Sequence, residues 1–162
     1  MKAAAVWLVA VGFVGCAAAP EAGRVEVPLP PDVRIVPPAV TVPKDVAAFS
    51  GKWMGVWVGP RPPEGPGRGG PGRRDHMLVV EEVRATDATV ICAWGTGAGL
   101  FAADPRPGWV RVTGRFVGDA LRVVLPPAGA TITYRMRSDG TLDAINERGG
   151  FTFRARMTRM TE

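Results

Sequence analysis

The sequence predicts an all-β fold, an antiparallel up-and-down barrel of eight strands, on three observations. After Lys44 the chain runs in short stretches rich in Val, Ile, Phe, Trp and Thr, separated at near-regular intervals by Gly, Pro and Asp, which is the pattern of short strands joined by turns. The later gaps are tight: Gly118-Asp119, Ser138-Asp139-Gly140 and Arg148-Gly149-Gly150 supply residues that accept the positive φ short hairpins require. Inside the stretches apolar and polar side chains alternate, so one face is buried and the other is wet. Strands joined mainly by hairpins close on themselves because closure removes exposed edges. The 21 glycines and 16 prolines among 162 residues argue in the same direction, against a mostly helical chain.

Taken in order, the chain opens on Lys2 and an apolar run from Ala3 to Phe13. This reads as a secretory signal, too short to span a bilayer as an anchor. Phe13-Val14-Gly15-Cys16 resembles the lipobox of bacterial lipoproteins, with a small residue before the cysteine and Phe13 where that family carries an aliphatic residue. The resemblance implies a signal peptide over residues 1–15 and, on Cys16, a diacylglyceryl thioether and usually a further acyl chain; several chains anchor far more durably than one. Ordinary cleavage near Ala17-Ala18-Ala19 is the competing reading, and Pro20 disfavours it. Ala17 next to Cys16 implies, by the enterobacterial sorting rule, the outer membrane on its periplasmic side. The expected location is the cell envelope, with the membrane as a partner and nucleic acid excluded.

Residues 16–43 carry Pro20, Pro28, Pro30, Pro31, Pro37, Pro38 and Pro43, too closely spaced for a helix or an interior strand. They are expected to form an extended spacer of polyproline type ahead of a folded domain over 44–162. The eight expected strands are Lys52 to Val58, His76 to Val83, Ala88 to Trp94, Trp109 to Val117, Ala120 to Leu125, Ala130 to Arg137, Thr141 to Glu147 and Phe151 to Thr158. Ile132, Tyr134 and Met136 share one face of their strand; Phe151, Phe153, Ala155 and Met157 share one face of theirs. An eight-stranded barrel is wide enough to be filled by side chains or to hold one small ligand.

Phe49-Ser50-Gly51-Lys52-Trp53, ahead of the first strand and echoed by Gly55-Val56-Trp57, resembles the G-x-W signature of lipocalins and the wider calycin group. The resemblance implies a calycin-like barrel. It further implies a turn of helix before the motif, for which Asp45 to Phe49 stands ready. In that group the Trp packs across the closed end against a cation from the last strand, a role that falls here to Trp53 with Arg154, Arg156 or Arg159.

The chemistry-bearing residues are few. His76 beside Asp75 has no G-x-S-x-G context and reads as a surface histidine after a turn-capping Asp. Neither a metal site nor a cofactor is expected from one His and, with Cys16 taken as the lipid acceptor, one available Cys. Cys92, between Val90 and Trp94 on one strand face, reads as a small buried hydrophobe. Glu81 and Glu82 are adjacent and face opposite ways; the preferred reading is a wet strand end, and an inward Glu would need an arginine or a ligand. The long Gly59 to Asp75 segment, with Arg61, Arg68, Arg73 and Arg74, is read as a flexible insertion or, in second place, a lid or a contact for acidic groups. Gly95 to Gly108 carries Leu100 and Phe101, to pack over the barrel end or to line a mouth with Trp94 and Trp109.

No activated nucleophile is recognisable, so the expected function is not enzymatic. It is binding of a small apolar or amphipathic molecule in the barrel, with Trp94, Trp109 and Tyr134 as ligand-binding residues. The alternative is a protein-interaction or inhibitor module of the periplasm built on a filled barrel. Whether the interior is open decides between them.

Overall fold

The computed structural model describes residues 27–60, 72–98, 101, 106–127 and 129–161. One helical turn, α1 (Lys44–Ala47), leads into β1 (Gly51–Val58), β2 (Arg73–Val83), β3 (Asp87–Ala98), β4 (Gly108–Val117), β5 (Ala120–Leu125), β6 (Ala130–Met136), β7 (Leu142–Arg148) and β8 (Phe151–Arg159). Each strand pairs antiparallel with the next and β8 returns to β1, closing the sheet. The predicted barrel and its strand order are therefore present, with α1 where the helical turn was expected. β2 and β3 are each longer than expected by three residues or more. β2 begins at Arg73 and pairs Arg73 with Ala98 and Arg74 with Gly97, so Asp75 and His76 lie within a strand and not at a loop junction.

The inward faces form one core cluster that includes Trp53, Trp57, Leu78, Val90, Ile132, Tyr134, Phe153 and Met157. Neither glutamate enters it. A register shift between Val80 and Glu82 breaks the alternation of β2, so Val80 and Val83 both reach the core while Glu81 bonds Arg111 and Glu82 bonds Arg84 on the outside.

The closed end is built around the G-x-W motif. Trp53 is fully buried and donates its indole N–H to the Phe49 carbonyl at 2.9 Å. The guanidinium over its ring belongs to Arg159, 4.2 Å from the ring centroid, in a stacking of cation on indole face. Arg159 also donates to the carbonyls of Ser50 and Ala48. Arg154 and Arg156 are exposed: they alternate with Phe153, Ala155 and Met157, so they point outward and do not close the barrel. Gly51 is demanded twice over: its φ is +119°, and a Cβ there would come within 2.6 Å of Arg159 Nη1.

Residues 27–36, expected to be part of the free spacer, instead form a strap across the outer face of β2 and β3. Val27, Leu29, Val33 and Ile35 pack on Met54, Met77, Val79, Ile91 and Ala93. The backbone N–H of Val36 donates to the Glu81 carbonyl at 2.7 Å, and that of Arg34 to Glu81 Oε1 at 3.2 Å. Arg111 ties strap to barrel: its two Nη atoms donate to Asp32 at 3.0 Å each and its Nε to Glu81 Oε2 at 2.8 Å. The reason is apolar area. Val79, Ile91 and Ala93 would be bare on the outside without a cover, and burial of apolar surface outweighs the ordering of a segment already stiffened by proline.

Candidate ligand site at the barrel mouth

Trp57 follows Trp53 by four residues, so both face inward while lying roughly 13 Å apart along β1. Trp53 seals one end and Trp57 stands at the other. There a cavity of about 200 Å³ opens among Trp57, Arg74, Trp94, Val110, Ile132 and Asn146, with Arg148 also on its lining. It lies at the end carrying the β1–β2, β3–β4, β5–β6 and β7–β8 connections.

Its floor is a neutral polar chain. The His76 ring stacks on Trp57, with centroids 4.8 Å apart. His76 Nδ1 lies 3.0 Å from the Ala93 carbonyl and must donate to it; Nε2 then accepts from the Tyr134 hydroxyl at 2.8 Å. The phenol oxygen is left to accept from the Cys92 thiol at 3.6 Å. Burial pushes the His76 imidazole down to about 4 and the Cys92 thiol up to about 12, and it raises Tyr134 as well. All three are neutral over the physiological range, and their hydrogen bonds hold the three side chains in one arrangement.

The mouth carries charge. Arg74 is 7% exposed; its Nε donates to the Gly95 carbonyl at 2.9 Å and an Nη to the Arg106 carbonyl. Its guanidinium stands 5.6 Å from the Trp94 ring and 5.7 Å from the Phe101 ring. Gly108 on β4 leaves room for that indole, since a Cβ there would meet Trp94 at 3.1 Å. On the opposite wall Asn146 is 8% exposed, and its Oδ1 has no hydrogen-bond partner among the described residues.

Of the residues expected to bind a ligand, Trp94 lines the cavity. Tyr134 does not: its hydroxyl is engaged beneath the cavity with His76 and Cys92. Trp109 is 43% exposed and is not part of the lining. Trp57, Arg74, His76 and Asn146 join Trp94 on the lining, although no local sequence pattern marks them as ligand residues. For Asn146 the parity of β7 signals an inward position, since Leu142 and Ala144 are buried on the same face. Cys92 is a buried free thiol, as a small core hydrophobe should be. Arg61, Arg68 and Leu100 lie outside the described residues, as does Cys16.

A wider depression of about 410 Å³ lies on the outer wall, lined by Val56, Val58, Arg135, Asp143, Arg154 and Arg156 among others. Its polar side chains are exposed, and Asp143 pairs with Arg156 at 3.6 Å. The mouth, in contrast, is walled by inward-facing side chains of the barrel. Among the described residues no cluster of His, Cys, Asp and Glu is arranged to hold a metal ion. The chain matches no protein-family model and no curated protein.

Proposed function

We propose that this protein is an envelope binding module that takes a compact amphipathic molecule into the mouth of its barrel. The observation that carries this reading is the cavity that opens at the barrel mouth, with apolar walls and a few polar side chains, Arg74, His76 and Asn146, on its lining. A concave, mostly apolar pocket with a few polar groups is the usual form of a small-molecule site. The cavity volume of about 200 Å³ narrows the ligand class. Since a cavity of roughly 150 Å³ takes a benzene ring, this one suits a single substituted ring or a short branched chain and not a long acyl tail. Apolar walls from Trp57, Val110 and Ile132 receive the body of the ligand.

In this reading Cys16 carries the lipid anchor at the outer membrane. With the strap docked from Val27 onward, the residues between anchor and barrel, 17–26, span at most about 35 Å, so the barrel works close to the membrane surface. Tryptophan emission tests the binding reading. Small aromatic acids and alcohols should change it saturably in the native chain, and Val110→Phe, which narrows the cavity, should weaken the response at least tenfold. A response absent across the panel, or equal in the variant, overturns the reading.

A further inference from the structure

We propose that Met54 and Met77 form an oxidation-sensitive pair under the strap, and that their conversion to methionine sulfoxide releases the strap from the barrel. Register brings the two side chains together. Met54 lies directly opposite Met77 in the pairing of β1 with β2, which puts their Cβ atoms roughly 5 Å apart. Trp53 and Leu78, their neighbours in sequence, enter the core, so both methionines stand on the outer face. There Met77 is buried and Met54 half-buried in the apolar cluster that the strap completes with Val27, Leu29, Val33 and Ile35.

The strap is fastened unevenly. Among the described residues its hydrogen bonds to the barrel come from Asp32, Arg34 and Val36, which meet Arg111 and Glu81. Val27 and Leu29 are held by apolar contact, so a change in the polarity of that contact acts on the half with nothing else to fasten it. A peroxide supplies the change. The thioether sulfur attacks one peroxide oxygen; an S–O bond forms, the O–O bond breaks, the sulfur is oxidised by two electrons, and the second oxygen leaves with both protons as water. The product carries a polar sulfoxide where the strap must cover an apolar surface, and a polar group buried there without a partner is costly. Half-buried Met54 reacts first, and its sulfoxide opens the cluster to Met77, whereas Met157 lies fully buried in the barrel core. Release bares Val79 and Ile91 on the outer face of β2 and β3, and reduction of the sulfoxides reverses it.

Treatment of the native chain with hydrogen peroxide, followed by peptide mass spectrometry and hydrogen exchange, tests this. Met54 and Met77 should gain oxygen before Met157, and chains oxidised at both should exchange the Val36 amide at least tenfold faster than untreated chains. The double variant Met54→Leu with Met77→Leu, a swap that conserves volume, should keep its own untreated rate after the same dose, although exposed Met160 is oxidised in it. Enzymatic reduction of the sulfoxides, which needs no substitution, should return the native chain to its slow exchange. The proposal is overturned if exchange is unchanged with both sulfoxides present, is accelerated as much in the double variant, or stays fast once the sulfoxides are removed. Oxidation of Met157 ahead of the pair overturns it as well.

Discussion

At the scale of single residues, His76 carries the sharpest consequence of burial. Its ring is 1% exposed and is held neutral, with its pKa lowered from 6.5 to about 4 by desolvation. The unfolded chain takes up a proton near 6.5 that the folded barrel refuses until about 4. Its contribution to stability is therefore complete above pH 6.5 and is lost as pH falls toward 4, by roughly 3 kcal/mol in all. Denaturant melts between pH 4 and 7 should show stability rising with pH, and His76→Phe should flatten that slope. An unchanged slope in the variant would place the pH dependence elsewhere. The same residue shows what sequence reading misses. A lone His after Asp75 reads as a surface residue until pairing places it opposite Trp94, because nothing local tells a strand interior from a loop junction.

Among the elements, the strap is the one whose role the sequence hid. Its prolines announced an extended segment, which residues 27–36 are, but not a docked one. The readable signal lay in its partners. Met77 to Val80 and Val90 to Ala93 are continuous apolar runs, and an uninterrupted run means a strand covered on both faces, whereas Ile132 and Tyr134 alternate with polar neighbours because the outside of β6 is wet. Arg111 fastens the cover through Asp32 and Glu81. Arg111→Gln should therefore speed amide exchange at Val36 at least tenfold and promote self-association as Val79 and Ile91 become accessible. Hydrogen exchange read by mass spectrometry checks the first effect and light scattering the second; exchange unchanged from the native chain would show that the apolar contacts alone hold the strap.

For the whole molecule, turns and alternation made the barrel legible because they are local properties repeated eight times. The ends were less so. The G-x-W motif located the closed end, but the identity of its cation depends on register. Trp53 pairs across the sheet with Arg159, a match that strand boundaries uncertain by a residue or two do not specify. The mouth was less legible still, since Arg74, Trp94, Asn146 and Arg148 come from three strands and meet only on closure. The proposed anchor is a separate matter of address: Cys16→Ser should abolish metabolic labelling by palmitate, and labelling that persists would refute it.

The central claim is that the mouth, and not the closed end or the outer wall, receives a small ligand. Indole N–H resonances report on it directly, because the tryptophans of the folded domain mark different places: Trp57 and Trp94 line the mouth, Trp53 lies under Arg159, and Trp109 is 43% exposed outside the lining. During titration with a small aromatic acid or alcohol, the account predicts saturable shifts at Trp57 and Trp94 with Trp53 and Trp109 unmoved. Shifts confined to Trp109, or no saturable shift at Trp57 and Trp94, would contradict it.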